Sequence, residues 1–168
     1  MEWRESKLMQ VVWTILRVYV GWEWLSAGLG KTFGPGSAVW VGPKAGTAIT
    51  GFLKGALAKT TGAHPDVQGW YGTFLSNIAL PNATLFSYIV SWGEVLVGVG
   101  LILGFLTTIA LFGGILMNFN YLFAGTVSTN ALLLLFEALL LWAGAAAYYY
   151  GVDRAFLPRW KKWRLAKE

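Results

Sequence analysis

Residues 92–114 read WGEVLVGVGLILGFLTTIALFGG, two apolar runs that meet at Gly104, with Glu94 their one charged residue. Glycine after an apolar run ends a helix, and Thr107 and Thr108 open the next one. Each run extends outward until it is long enough for a membrane. About 20 residues at ~1.5 Å each cross the hydrocarbon layer. One span is 85–103, entered through Pro81, Asn82 and Thr84, and the next is 107–124. After the polar turn GTVST (125–129), a third apolar run occupies 130–150 and closes at Gly151. Upstream, 8–29 supplies one more. From 67 to 152 the only charged residues are Glu94 and Glu137. The whole chain is 12% charged, about half the density usual for a soluble domain, and contains ten tryptophans. The expected fold is an all-α integral membrane four-helix bundle in one domain of 168 residues.

The same composition excludes much chemistry. No cysteine is present, which removes disulfides, thiolate metal sites and CxxC redox relays. His64 is the one histidine, so a haem held by two histidines of one chain is removed too, and no metal site or covalently bound cofactor is expected. Nucleic-acid binding is not expected, because a binder's basic residues track a phosphate backbone. Here, apart from Arg17, they sit at the two ends and in the 30–82 loop. The start, MEWRESK, lacks the features of a cleavable signal peptide.

Charge placement orients the spans. Arg4 and Lys7 precede the first, six basic residues lie in the tail 151–168, and the loop carries four in 53 residues. The positive-inside rule then places both termini in the cytoplasm and the loop outside a multi-pass cytoplasmic-membrane protein. Within the loop, Ile49, Phe52, Leu53, Ala56 and Leu57 share one helical face in 47–60. In 68–79, Trp70, Phe74 and Ile78 recur every four residues. Both read as short amphipathic helices lying on the membrane surface.

A charge at membrane depth costs roughly 2.5–3.5 kcal/mol on insertion scales, so those that remain mark a site or a structural pair. Arg17 and Glu94 fall near the middles of their spans and are expected to meet there, as an ion pair or as a ligand or proton site. Glu23 and Glu137 fall in the outer half, with Asn118, Asn120 and Asn130. Together they imply a polar cavity open towards the loop. Asn118 and Asn120, two apart, point to nearly opposite faces, so at most one faces a cavity squarely. Asn130 is read either as a site residue or as a helix cap. Trp24 and Trp92 lie within spans and are read as core packing or as an aromatic wall for a quinone ring.

The stretches GWEWLSAGLGK (21–31), 92–114 and GVDR (151–154) resemble the DoxX family of small four-helix membrane proteins. MNFNYLFAGTVSTN (117–130) is similar to the branch that includes DoxD, the membrane subunit of a thiosulfate:quinone oxidoreductase. The resemblance covers nearly the whole chain. It implies that the family's second-helix glutamate is Glu94, its first-helix arginine Arg17, and its following lysine Lys31. Two departures stand out: YYY (148–150) replaces the glycine-proline-glycine-arginine run of many members, and Thr108 replaces an arginine. The resemblance further implies oxidation of thiosulfate with quinone as co-substrate, and a second small subunit or a soluble redox protein as partner. Glu94, Arg17 and Glu137 are the expected catalytic residues. Glu23, Lys31, Trp24, Trp92, Asn118, Asn120 and Asn130 are the expected quinone- or substrate-binding residues. The alternatives are a non-enzymatic scaffold that docks a soluble partner through the basic tail 158–168, and a small proton-coupled transporter, for which homo-oligomers would be needed.

Overall fold

The computed structural model describes residues 3–155, and every element among them is helical. The elements are α1 (Lys7–Thr32), α2 (Ser37–Trp40), α3 (Thr47–Leu57), α4 (Gly69–Phe74), α5 (Ala83–Leu103), α6 (Thr107–Phe123) and α7 (Asn130–Ala143). The tail 158–168, on which the scaffold reading rests, lies outside the described residues.

The long helices begin and end close to where hydropathy and punctuation place them. Ser6 caps α1, its hydroxyl accepting from the Met9 N–H at 3.3 Å. α1 runs through Gly30 and stops after Thr32, where the Phe33 and Gly34 N–H groups both return to the Leu29 carbonyl. Gly104 ends α5 in the left-handed region, φ 64°. The one clear departure is the last span. Its α-helix ends at Ala143, Gly144 takes φ 58°, and the chain continues as a tighter 3₁₀ turn over Gly144–Tyr148. A positive φ breaks the α hydrogen-bond register, and the next residues are alanines with no bulk to restore it.

α1 packs most extensively on α5, α5 on α6, α6 on α7, and α7 with its 3₁₀ extension returns to α1. Glycines set the α1–α5 register. A Cβ on Gly98 would lie 2.5 Å from the Leu25 nitrogen, and one on Gly28 would lie 2.7 Å from the Val95 nitrogen. Such backbone contact is how small residues bring membrane helices together. The core between the helices holds Trp13, Val20, Trp24, Leu101, Leu111 and Leu140. The outside is equally apolar. Ile15 and Trp22 of α1, Ile89 and Leu96 of α5, Ile109 and Phe112 of α6, and Leu135 and Trp142 of α7 are all exposed. Buried polar residues within an apolar exterior reverse the soluble arrangement. α5 and the 130–148 stretch are long and apolar enough to span a membrane, and α6 is apolar but shorter.

The loop helices pack one face onto the protein. Ile49, Leu53 and Ala56 of α3 join Val67, Tyr71, Leu75, Ala79 and Ala124 in a second core. In 68–79 the stripe packed against the protein is Tyr71, Leu75 and Ala79, beside the Trp70, Phe74 and Ile78 stripe read as facing the membrane. Trp70 is 63% exposed and Ile78 51%. Adjacent four-residue stripes on a helix lie about 100° apart and look alike in sequence. The phenol decides between them: Tyr71 Oη reaches Asn120 Oδ1 (2.9 Å) and the Asn120 carbonyl (3.1 Å). Burial pushes its pKa up to about 12, so it remains a donor.

Candidate functional site

Four helices contribute to a cavity of about 340 Å³ towards the end of the molecule that carries residues 30–82. α1 supplies Glu23, Trp24 and Ala27, α5 Glu94, and α6 Asn118 and Tyr121. The 125–129 turn with the start of α7 supplies Ser128, Thr129, Asn130 and Leu133.

Two carboxylates anchor its walls. Glu137, fully buried, accepts from Trp24 Nε1 at 2.6 Å and from Asn118 Nδ2 at 2.8 Å, one donor on each oxygen. Gly114 makes room for it, since a Cβ there would collide with Glu137 Oε1. Glu94, 2% exposed, accepts from Lys31 Nζ at 2.6 Å and from Tyr121 Oη at 2.8 Å, again one per oxygen. Lys31 also sits over the Trp40 ring, 5.2 Å from its centroid. Glu23 is half-buried on the cavity wall, and its carboxylate has no hydrogen-bond or ion-pair partner among the described residues.

Below Glu137 the polar character stops. Val20, Leu101, Leu111 and Leu140 form a buried apolar layer about one helical turn further from the loop. Beyond that layer lies Arg17. Its guanidinium donates to the carbonyls of Leu101 (2.5 Å) and Tyr150 (2.9 Å), closing the last turn of α5 onto the 148–151 stretch. Asp153 completes this end by accepting from the Leu106 and Thr107 N–H groups, both at 2.8 Å. Those are orphan donors at the start of α6, which a carboxylate satisfies well. They also hold Leu106 at φ 49°.

A family model described as DoxX matches residues 12–127. The chain belongs to the DoxX family. Comparison with curated proteins and with solved structures yields no match. The family match covers α1 to α6 and so includes Arg17, Glu23, Lys31, Glu94 and Asn118. Asn130, Glu137 and the Asp153 cap lie beyond it.

In this DoxX protein the expected residues fall into three groups. Glu23, Trp24, Glu94, Asn118 and Asn130 line the cavity, while Glu137 and Lys31 hold its polar walls. Asn130 does not cap its own helix. Its Oδ1 accepts from the Ser128 N–H (2.6 Å) and its Nδ2 donates to the Thr126 carbonyl (2.8 Å), shaping the turn at the cavity rim. Trp92, Asn120 and Arg17 are not cavity residues. Trp92 is 42% exposed and packs edge-on against Phe33, because Glu94 two positions on points inward. Asn120 belongs to the loop core through Tyr71. The expected Arg17–Glu94 pair does not form. The glycine contacts set Glu94 level with Gly28, which leaves Arg17 about 16 Å further along α1. Span midpoints are a poor guide when one helix is five residues longer than its neighbour. Tyr121 was missed altogether. Only the α5–α6 register reveals its bond to Glu94.

Proposed function

We propose that this DoxX protein is the membrane subunit of a sulfur-compound:quinone oxidoreductase, and that its cavity receives the quinone ring. In this reading all four long helices cross the cytoplasmic membrane, with the 30–82 segment outside. The observation that carries it is the convergence of two carboxylates, a phenol and an indole from α1, α5 and α6 on one cavity, with the buried Glu137 of α7 bonded behind that indole, beside an apolar exterior. A ring needs a flat apolar wall, here Trp24 and Leu133, and a few convergent polar groups. Quinone reduction takes up two protons with two electrons, and Glu137 and the Glu94–Tyr121 pair stand where protons are wanted. The electrons come from the sulfur donor, two thiosulfates joining to form tetrathionate.

The dianion itself is assigned to a partner subunit. Lys31 is neutralised by Glu94, and the cavity's remaining acid, Glu23, repels an anion. Arg17 is a positioning residue, because it touches main-chain carbonyls and lies beyond the apolar layer. The same layer interrupts any polar path through the chain, which weighs against a transport role.

The test uses the purified chain in detergent with a short-chain ubiquinone analogue. Saturable quenching of tryptophan fluorescence is expected, much reduced in Trp24→Phe. Thiosulfate-dependent quinone reduction by membranes is expected to fall at least tenfold in Glu137→Gln, at unchanged protein level. Normal turnover in both Glu137→Gln and Glu94→Gln would sink the proton-donor roles. Absence of quenching by any quinone would leave the protein as a scaffold for a soluble partner.

A further inference from the structure

The donors and acceptors around the cavity are unevenly committed. Trp24 Nε1 and Asn118 Nδ2 both donate to Glu137, and Tyr121 Oη donates to Glu94. Ser26 and Ser128 donate to the Glu23 carbonyl and to Asn130 Oδ1, and Asn130 Nδ2 donates to the Thr126 carbonyl. Thr129 is the one polar wall residue whose hydroxyl has no such acceptor among the described residues. Free acceptors remain. Asn118 is 1% exposed, its amide nitrogen is turned to Glu137, and its Oδ1 has no partner. The Glu23 carboxylate on the same wall has none either. An acceptor left unsatisfied in a buried site is costly, and a ligand that supplies a donor recovers that cost.

A quinone offers two carbonyl acceptors and no donor, whereas its reduced form offers two hydroxyl donors. We infer that the cavity is built for the dihydroxy form of the ring, which it holds more tightly than the dicarbonyl form, with Asn118 and Glu23 accepting from the ring hydroxyls. A metal ion is a poor alternative. Among the described residues no three acidic or histidine side chains converge closely enough to hold one. The inference rests on the quinone reading and adds a direction to it. Tighter binding of the reduced form raises the potential of the bound couple, which pulls electrons towards the site. A tenfold affinity ratio corresponds to about 30 mV for a two-electron couple.

The experiment is calorimetric titration of the full chain in detergent, under argon at neutral pH. The probes are a short-chain ubiquinone analogue and the same compound reduced to its hydroquinone. The hydroquinone is expected to bind at least tenfold more tightly. Glu23→Gln, at a half-exposed position that tolerates the change, places an N–H donor on the wall. The ratio is expected to shrink severalfold there through stronger binding of the oxidised form. Asn118→Leu is expected to shrink it through weaker binding of the reduced form. Equal affinities in the unaltered protein, or tighter binding of the oxidised form, overturn the inference while the quinone reading stands. A ratio that both variants leave unchanged overturns it as well. No binding of either form overturns both.

Discussion

Lys31 and Glu94 illustrate how a side chain just outside a span can govern one within it. Glu94 is buried, and its charge is matched by an ammonium that keeps 21% of its side chain exposed. Removing one member of such a pair leaves the other uncompensated, at a cost of about 3–5 kcal/mol for a fully buried pair. The partial exposure of Lys31 puts the expected loss in Lys31→Met near the lower figure. The double variant Lys31→Met/Glu94→Gln removes the stranded charge and is expected to recover most of the loss. Thermal unfolding followed by circular dichroism in detergent measures both. If the double variant is no more stable than the single one, Lys31 acts through its Trp40 contact and not through Glu94. The identity of the pair was only half legible in the sequence. Glu94 and Lys31 were each singled out, but Arg17 stood nearer the middle of its span and was the natural partner. What separates them is the α1–α5 register, which depends on contacts between residues some seventy positions apart, such as Gly28 with Val95.

At the scale of elements, two glycines of similar appearance have opposite duties. Gly98 faces the α1 backbone, where a methyl group would lie 2.5 Å from the Leu25 nitrogen. Gly55 in α3 has open space around its would-be Cβ. Gly98→Ala is therefore expected to destabilise by about 1–3 kcal/mol through overpacking. Gly55→Ala is expected to stabilise α3 by about 0.5–1 kcal/mol through helix propensity. Chemical or thermal unfolding in detergent gives both signs in one series. The loop core makes a separate prediction about pH. The Tyr71 phenol is raised to about 12 by burial, against about 10 in an unfolded chain. Between those values the unfolded state releases a proton that the folded state retains. Stability is thus full below pH 10 and falls as pH rises towards 12, by roughly 1.4 kcal/mol per pH unit from this group. Tyr71→Phe should lose about 1 kcal/mol at neutral pH with its hydrogen bonds, then fall less steeply in alkali. Unfolding at pH 8 and pH 11 for both proteins would show it, and parallel losses would contradict the assignment. The helices here were legible from their apolar periodicity. Which stripe turns inward was not, because Trp70 and Tyr71 begin equally plausible four-residue patterns, and the deciding bond to Asn120 is distant in sequence.

For the molecule as a whole, chain direction and charge together determine which way the cavity faces. α1 and α6 run towards the cavity end and α5 and α7 run away from it, so the start of α1 and the 148–155 stretch lie on the side opposite the 30–82 segment. The cavity opens on the segment's side, and the Arg17 and Asp153 clamps close the other. Ten of the thirteen lysines and arginines are accounted for by the termini, Arg17 included, and by Lys31 with its carboxylate. That leaves Lys44, Lys54 and Lys59 in the segment, too sparse to rival the ends. The proposed orientation therefore opens the cavity to the outside. The absence of cysteine makes this directly testable, since any introduced thiol is the only one in the chain. His64 lies in an exposed turn of the 30–82 segment. His64→Cys is expected to react with a membrane-impermeant maleimide on intact spheroplasts, and Ala166→Cys only after the membrane is opened. The reverse pattern would turn the cavity to the cytoplasm. Its acids would then draw their protons from that side, and the sulfur donor would have to be a cytoplasmic one.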